Sequence, residues 1–225
     1  MNSRGLFITV EGSEGAGKTT ALDYLETALS NASVSVLRTR EPGGTPLGEQ
    51  LRELLLNPEV GEVDPLAELL LVFAARAQHL REKIIPALMA GQWVLCDRFT
   101  DATYAYQGAG RKLGMTRVAE LEDFVQGERR PDLTLLMDIP VAAGLDRARG
   151  RGSLDRFEQE DIAFFERVRQ AYLDRATHSS GRYLVVDAHR PLQEVIASLQ
   201  DITEQLVKVY RGERTPSALR DLRHG

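Results

Sequence analysis

A glycine-rich segment near the start of the chain has the residue types and spacing of a phosphate-binding loop. It fits the pattern G-x-x-x-x-G-K-[ST], and its residues are Gly12, Ser13, Glu14, Gly15, Ala16, Gly17, Lys18 and Thr19, followed by Thr20. Glycines let backbone N–H groups point inward around a phosphate, and a helix beginning near Gly17 adds the positive end of its dipole. Lys18 would reach the β and γ phosphates, and the Thr19 hydroxyl would hold Mg²⁺. The pattern predicts binding of a nucleoside triphosphate.

A second candidate site follows a later apolar run, where Asp97 and Arg98 precede Phe99. An aspartate at the carboxyl end of a parallel strand can hold Mg²⁺ or its waters, and it can equally cap the next helix. Arg98 favours the first interpretation, because a cation beside that acid serves no evident packing purpose. Since arginine matches phosphate oxygens two at a time, Arg98 would suit a second phosphate group that faces the γ-phosphate.

Five short apolar runs would position these residues. They are rich in Val, Ile and Leu, as expected of strands covered on both faces, and they are Leu6–Glu11, Val34–Thr39, Trp93–Asp97, Leu133–Asp138 and Tyr183–Asp187. Between them, apolar residues recur at helical spacing, as in Leu22, Leu25 and Leu29. This alternation predicts an α/β fold with a central parallel sheet of about five strands and helices on both faces. We predict one domain over residues 1–210 and a polar tail over 211–225.

The composition excludes several classes of protein. Hydrophobic residues make up 43% of the chain and charged residues 27%, which excludes a disordered or collagen-like chain. A single cysteine, Cys96, excludes an internal disulfide and indicates a reducing, cytoplasmic location. The longest apolar stretch, Leu66–Ala75, is too short to span a membrane. The net charge of −5 argues against a nucleic-acid partner. Arginines supply 24 of the 28 basic residues, and codon usage in a GC-rich genome would explain most of them.

Taken together, these residues resemble the bacterial thymidylate kinases over nearly the whole chain. The matching segments are GSEGAGKT (12–19), TREPGGTPLGEQLRELLL (39–56), FAARAQHL (73–80), DRFTDATYAYQGAGR (97–111), PDLTLLMDIP (131–140) and RARGRGSLDRFEQED (147–161). The resemblance implies the P-loop nucleoside monophosphate kinase fold and ATP-dependent phosphorylation of dTMP to dTDP, which feeds dTTP synthesis for DNA replication. It also implies bound Mg²⁺ and a homodimer.

The resemblance assigns one group of residues to the phosphate end of the acceptor site. Asp97 and Arg98 would position the acceptor phosphate and Mg²⁺, and Glu14 would lie close to the acceptor and its metal. Arg40 and Glu41 would lie near the acceptor phosphate. The remaining member of this group is Pro42, which would shape the turn.

A further group would recognise the base and the sugar. By resemblance, Arg76 would hydrogen-bond a thymine carbonyl, and Thr103 and Gln107 would read the other polar edge of the base. Tyr106 would pack against the sugar where a 2′-hydroxyl would lie, which disfavours ribonucleotides. Buried polar groups on a base edge penalise a substrate that leaves them unpaired.

The chain departs from the family at the residue that stacks on the base. The family usually places an aromatic side chain four residues before the base-reading arginine, and here that position is Val72. The aromatic residue is Phe73, three residues before Arg76. Since both offsets lie on one helix face, Phe73 either stacks on the base or belongs to the core.

Three arginines fall in a glycine-punctuated segment after an expected helix, and they are Arg147, Arg149 and Arg151. Without the family resemblance, these three arginines indicate a solvated basic face. The resemblance places them in a lid over about 147–157, where one arginine would neutralise charge on the transferring phosphoryl group. With Glu14 and Ala16 in the loop, the chain resembles the lid-arginine type. Asp187 and Ala188 are similar to the loop that holds adenine.

Two other functions fit parts of the sequence. A nucleoside monophosphate kinase with another acceptor, such as dUMP, UMP or GMP, shares most of these residues. A regulatory P-loop NTPase shares the phosphate loop, but the chain lacks an Asn-Lys-x-Asp guanine-reading motif. The four histidines share no metal-ligand spacing with Cys96 and are predicted to be structural or surface residues.

Overall fold

A computed structural model describes residues 4–150, 155–179 and 181–215, and its centre is a parallel sheet of five strands. The strands are β1 (Phe7–Glu11), β2 (Val36–Arg40), β3 (Trp93–Asp97), β4 (Leu133–Asp138) and β5 (Tyr183–Asp187), in the order β2-β3-β1-β4-β5. All five predicted strands are present. Every neighbouring pair is parallel, which confirms the predicted α/β fold.

The helices lie between and after the strands, and three of them continue into or from π-helical turns. They are α1 (Lys18–Asn31), α2 (Pro46–Leu56), α3 (Pro65–His79), α4 (Ile85–Met89), α5 (Thr100–Thr103), α6 (Met115–Gln126), α7 (Val141–Arg149), α8 (Ile162–His178) and α9 (Leu192–Tyr210). The π-helical turns are Leu80–Ile84 and Tyr104–Gly110. No described helix is long and apolar enough to cross a membrane.

Side chains alternate between the two faces of the sheet, as the two-residue period of a strand requires. On β1, Ile8 and Val10 join a core cluster with Leu22 and Leu25 of α1, and the same cluster includes Leu199 of α9. The opposite face packs against other helices. There, residues of β1 and β3 pack with the segment that runs from the first π-helical turn through α4, and this cluster includes Phe7, Leu80, Ile84, Leu88, Val94 and Cys96.

The outer strand β2 differs from the prediction of strands buried on both faces. Its residues are half-buried or exposed and none is fully buried, because β2 lies at the edge of the sheet. Its side chains carry charge at Arg38 and Arg40, which blunts an edge that could otherwise pair with another strand. The predicted tail begins after α9, where residues 211–215 form a turn, and residues 216–225 lie outside the described part of the chain.

A buried aspartate joins the element after β3 to the helix before β5. Asp101 on α5 is 1% exposed, and it accepts hydrogen bonds from Arg175 Nε at 2.7 Å and from Arg182 Nη1 at 2.6 Å. Thr134 on β4 also donates to it, at 3.3 Å. Although burial by itself raises the pKa of Asp101, the charge and hydrogen bonds of Arg182 and the charge of Arg175 hold that pKa well below its usual range.

We expect Asp101→Asn to lower the free energy of unfolding by about 3 kcal/mol, because it leaves two partly buried guanidinium groups without their counter-charge. The pKa of Asp101 is lower in the folded than in the unfolded chain. Its stabilisation is therefore present above about pH 4 and is lost as the pH falls through the folded-state pKa. Urea denaturation of both proteins between pH 3 and pH 7 measures the difference.

The matched control is Asp123→Asn, which removes a carboxylate that is 74% exposed and pairs with Arg130 at the surface. Exposed pairs contribute little, so this variant should stay close to wild-type at every pH. A stability gap between the wild-type chain and Asp101→Asn that did not shrink on acidification would contradict the proposed ion pairing.

Candidate active site

The predicted phosphate loop lies between the end of β1 and the start of α1, at the carboxyl edge of the sheet. Gly15 and Gly17 both have positive φ, at 70° and 81°, a backbone region that favours glycine. The loop packs directly on α7, since a Cβ on Gly15 would lie 1.9 Å from the carbonyl oxygen of Gly144. The loop is thereby fixed from both sides, by α1 that follows it and by α7 that it touches.

Lys18 begins α1, and its side chain folds back over the loop. Its Nζ donates to the carbonyl oxygens of Gly12, at 3.0 Å, and Ser13, at 2.9 Å. Burial, and after it the positive charge of Arg98, lower the pKa of Lys18 to about 8. A polyanion bound in the loop would oppose both effects. Thr19 and Thr20, the other predicted ligands here, have exposed side chains in the first turn of α1.

Arg98 crosses from the end of β3 to the phosphate loop and is fixed by four groups. Its Nη1 donates to the Gly12 carbonyl at 2.9 Å and to the Tyr172 hydroxyl at 3.3 Å, and its Nη2 donates to Glu14 Oε1 at 2.8 Å. The guanidinium also lies 4.8 Å from the ring centre of Tyr106, whose hydroxyl donates to both oxygens of Glu14. Three residues predicted for the acceptor site therefore touch one another.

Glu11 supports this arrangement from beneath, although nothing in the sequence singled it out. It is fully buried, and its two oxygens accept hydrogen bonds from the Tyr172 hydroxyl and the Phe99 backbone N–H, at 2.8 and 2.7 Å. Burial, followed by the negative charge of Asp101, raises the pKa of Glu11 to about 8. Because Tyr172 also contacts Arg98, Glu11 orients the arginine through that hydroxyl and through the backbone that follows it.

Asp97 fits a role at a metal or its waters. Its Oδ1 is buried and accepts no hydrogen bond from any residue that the structure describes. Magnesium needs one or two protein carboxylates when phosphates supply its other ligands, so one free oxygen beside the phosphate loop suits it. Glu14 is less available, because Tyr106 and Arg98 already engage both its oxygens. Among the described residues, no three His, Cys, Asp or Glu side chains cluster as a metal site.

A cavity opens next to Glu14 and Arg98 and encloses about 640 Å³ of space, part of it open to solvent. That volume is typical of a site for a small organic ligand. Its walls come from α2, α3, the segment after β3 and the turn at residues 155–157. They include the predicted residues Glu14, Glu41, Pro42, Arg76, Arg98, Thr103, Tyr106 and Gln107.

Arg76 lies buried in the wall of this cavity, between two aromatic rings. Its guanidinium carbon is 4.8 Å from the ring centre of Phe73 and 4.9 Å from that of Phe99. Its Nε donates to Glu41 Oε2 at 2.7 Å and its Nη2 to Thr103 Oγ1 at 2.9 Å, while Nη1 is buried without a described partner. One donor thus remains for a ligand in the cavity.

Phe73, the residue with two possible roles, is 2% exposed and packs in a cluster with Leu69, Tyr104 and Val118. The side chain that lines the cavity on this helix is Val72, at the position where the family usually has its aromatic residue. The structure therefore places Phe73 behind Arg76, in the core.

The segment after β2 serves the cavity in two ways. Glu41 is buried and joins Arg76 to His79, whose Nδ1 lies 3.0 Å from Glu41 Oε1, so it supports the arginine that is predicted to contact the base. Arg40 turns outward and pairs with Glu49 at 2.7 Å.

Arg52 also lines the cavity, although the sequence analysis did not identify it, and it donates to the Pro42 carbonyl at 3.0 Å.

The environment of Arg52 is cationic. Burial, followed by the positive charges of Arg40 and Arg98, lowers the pKa of Arg52. Arg52 and Arg98 both line the cavity, and an arginine whose charge is opposed by a neighbouring cation in a cavity wall indicates an anion-binding site. In the sequence, Arg52 lies ten residues after Pro42, within a segment that was predicted to approach the acceptor. Its role could not be predicted from that position alone, because it depends on how α2 packs beside the cavity.

The predicted lid arginines are separated by the structure. Arg147 and Arg149 lie in the last turn of α7, so the prediction that they follow the helix is wrong for these two residues. The last turn of a helix favours cations, because the C-terminal end of the helix dipole is negative. Arg147 Nη1 donates to the carbonyl oxygen of Ala188 at 3.0 Å, which joins it to the predicted adenine loop. Arg149 is exposed and pairs with Asp146, and Arg151 lies outside the described residues. The other adenine-loop residue is Asp187, whose Oδ1 accepts from the His189 N–H.

Of the remaining predicted lid, the structure describes residues 155–157, which lie beside the cavity. Asp155 and Phe157 line the cavity, and the ring of Phe157 packs edge-on against that of Tyr106, with 5.8 Å between the ring centres. Arg156 between them points the other way, to Glu68 Oε2 at 2.6 Å and to the Leu55 carbonyl at 2.8 Å. Residues 155–157 therefore form part of the acceptor site wall.

Comparison with known proteins agrees with this geometry. The family model described as thymidylate kinase matches residues 10–199. Thymidylate kinases of Pseudomonas savastanoi pv. phaseolicola and Pseudomonas fluorescens are 61% and 60% identical over 208 residues, which cover 92% of this chain and 99% of each relative. The thymidylate kinase of Teredinibacter turnerae is 56% identical over 200 residues, covering 89% of this chain and 98% of that relative. On these matches and on the architecture of its site, the chain belongs to the thymidylate kinase family.

Proposed function

We propose that the site transfers the γ-phosphoryl group of ATP to the phosphate of dTMP, with the residue roles given below. The enzyme is a kinase of the thymidylate kinase family that phosphorylates dTMP to dTDP. The observation that carries the assignment of roles is the cavity beside the phosphate loop, whose wall contains both the Arg98–Glu14 ion pair and the polar side chains of Arg76 and Gln107. A nucleoside monophosphate has a phosphate for the first pair and a base for the second.

At the donor end, the loop Gly12–Thr19 holds the phosphates of ATP, and Lys18 leaves the loop carbonyls to contact the β and γ phosphates. Asp187, Ala188 and their loop hold adenine, and Arg147 supports that loop through the Ala188 carbonyl. Arg147, Arg149 and Arg151 are the candidates for the arginine that neutralises the transferring group.

At the acceptor end, Arg98 and Arg52 hold the phosphate of dTMP, and Arg40 adds positive charge nearby. The attacking atom is a phosphate oxygen that is already anionic, so no strong general base is needed. Catalysis then consists of positioning and charge neutralisation, which Lys18 and Arg98 supply. Tyr106, held by Glu14, occupies the wall beside the sugar and disfavours a 2′-hydroxyl.

Magnesium would be held by the phosphates, by the Thr19 hydroxyl and by Asp97, whose buried Oδ1 has no described partner. Bound there, Mg²⁺ neutralises charge on the phosphates and orients them for in-line transfer. Glu14 acts from the other side of the acceptor, since its carboxylate orients Arg98 and Tyr106.

Formation of ADP from Mg²⁺·ATP tests this function, with dTMP, dUMP, UMP, dCMP, dGMP and AMP offered separately and a reaction without acceptor. We expect dTMP to be the best acceptor and dUMP to exceed UMP, because Tyr106 leaves no room for the extra hydroxyl. Equal turnover with and without acceptors would favour a switch-type NTPase and overturn the proposal. Preference for another monophosphate would retain the kinase and change the acceptor.

We expect Lys18→Ala and Arg98→Ala each to lower kcat by about 10²–10³-fold, because each removes a charge aimed at the transferring phosphoryl group. Steady-state kinetics with saturating ATP and dTMP measure the loss, and far-UV circular dichroism checks the fold. Arg38→Ala is the control, since Arg38 pairs with Asp23 and Glu26 at the surface. Near-normal turnover in either site variant would show that its role is misassigned.

We further propose that the enzyme is a homodimer and that α2 and α3 form the contact. Leu47 and Leu54 lie seven residues apart on α2, and Leu66 and Leu70 lie four apart on α3, so each pair shares a helix face. All four side chains are 42–50% exposed although the two helices pack together. Exposed apolar residues grouped in this way are typical of a protein interface.

Mass measurement by light scattering at micromolar concentration tests the dimer. We expect the wild-type chain to have twice the chain mass and Leu54→Glu/Leu70→Glu to have the monomer mass, because two carboxylates would be buried unpaired at the contact. Met89→Glu, a change on α4 at a side chain that is 76% exposed, should stay dimeric. A monomeric wild-type chain would refute this assembly.

A cytoplasmic location is the expectation that fits the thiol. Cys96 is the only cysteine of the sequence and is buried, and burial raises its pKa well above the usual value. A buried, protonated thiol is unreactive and needs no disulfide partner. We therefore propose that the protein resides in a reducing compartment, the cytoplasm.

A further inference from the structure

The carboxylate of Glu68 on α3 lies fully buried behind the acceptor cavity. Its Oε1 accepts a hydrogen bond from Gln107 Nε2 at 2.8 Å, and its Oε2 accepts one from Arg156 Nη2 at 2.6 Å. Arg111 Nε lies 3.3 Å from both oxygens, and Arg111 also donates to Glu160. One acid thus joins a base-reading residue to two cations, one of them in the turn that closes the cavity.

This contact decides which end of the Gln107 amide faces Glu68. A carboxylate accepts hydrogen bonds and donates none, and Glu68 is paired here with two guanidinium groups, which only donate. Only the NH₂ group of Gln107 can therefore point at Glu68. Gln107 also lines the cavity, so its carbonyl oxygen is the amide atom left for a ligand.

Arg76 and Gln107 together then present a pattern of one donor and one acceptor to a ligand in the cavity. The donor is Arg76 Nη1, which is buried and has no described partner, and the acceptor is Gln107 Oε1. Thymine and uracil carry a carbonyl oxygen at C4 and an N–H at N3, which match this pattern. Cytosine carries an amino group at C4 and a bare N3, so both contacts would oppose a donor to a donor and an acceptor to an acceptor.

We propose that Glu68 is a positioning residue that selects keto pyrimidines over amino pyrimidines by locking the orientation of the Gln107 amide. This inference rests on the proposed function of the cavity. Were the side chain at position 68 able to donate a hydrogen bond, the amide of Gln107 could turn over and donate to the bare N3 of cytosine, which removes one of the two opposed contacts. The lock is strong because the alternative leaves buried polar groups facing like groups. Arg111 and Arg156 hold the Glu68 carboxylate in place through their hydrogen bonds to its oxygens.

The test is Glu68→Gln, which keeps the shape of the side chain but lets it present either an oxygen or an NH₂ group to Gln107. The readout is the ratio of kcat/KM for dTMP to kcat/KM for dCMP. We expect that ratio to fall at least tenfold, with dTMP turnover decreasing and dCMP turnover rising. A role in stability alone would lower both values together and leave the ratio unchanged.

Glu160→Gln is the matched control. It makes the same chemical change on the same network, removing a partner of Arg111 while leaving the contact between Glu68 and Gln107 intact. We expect its ratio to equal that of the wild-type chain. An unchanged ratio in a folded Glu68→Gln protein would overturn the inference, and so would an equal loss of ratio in both variants.

A measurement on the wild-type chain covers the case in which Glu68→Gln does not fold. The side-chain NH₂ signals of Gln107, assigned by their absence in Gln107→Leu, should be slow to exchange with solvent and should keep that protection when dTMP binds. Rapid exchange in the free enzyme, or a switch of the NH₂ group to the ligand, would refute the lock. A wild-type chain that fails to phosphorylate dTMP would instead refute the proposed function.

Discussion

The contact between Arg98 and Glu14 is the interaction on which the site depends. It joins the end of β3 to the phosphate loop that follows β1, and the two strands are neighbours in the sheet. Arg98 has a φ of 64°, a region that disfavours a side chain, so the surrounding contacts must hold it there. Glu11 and Tyr172 supply those contacts from below, and Tyr106 covers the guanidinium from the side. A phosphate bound beside Arg98 would therefore meet a cation whose position is already fixed.

Elsewhere in the molecule, three buried carboxylates each pair with two basic side chains. Asp101 holds Arg175 and Arg182, Glu68 holds Arg111 and Arg156, and Glu41 holds Arg76 and His79. Each joins elements that are distant in sequence. A buried pair of this kind contributes little net stability, but breaking it is costly, so the arrangement fixes geometry rather than adding stability. Many arginines that codon usage alone would have explained are therefore structural.

Much of the fold and the phosphate loop was accessible from the sequence, because each depends on local pattern. Apolar runs and helical spacing predicted all five strands and the parallel sheet, and the loop pattern placed Lys18 at the start of α1. The edge character of β2 was not accessible, since nothing in VSVLRT tells an outer strand from a central one. Phe73 and Val72 show the same limit. Both lie on one helix face, and only the packing of Tyr104 and Val118 places Phe73 in the core.

The roles of individual atoms were out of reach of the sequence for a different reason. The resemblance assigns Gln107 to the base, but an amide offers a donor at one end and an acceptor at the other. In the proposal above, the choice between them is made by Glu68, which lies 39 residues earlier on another helix and is paired with two arginines. Arg147 and Arg149 are equally basic in the sequence, yet only Arg147 reaches the Ala188 carbonyl. Specificity in this site thus depends on residues that never touch the substrate, because they determine which atoms of its neighbours do.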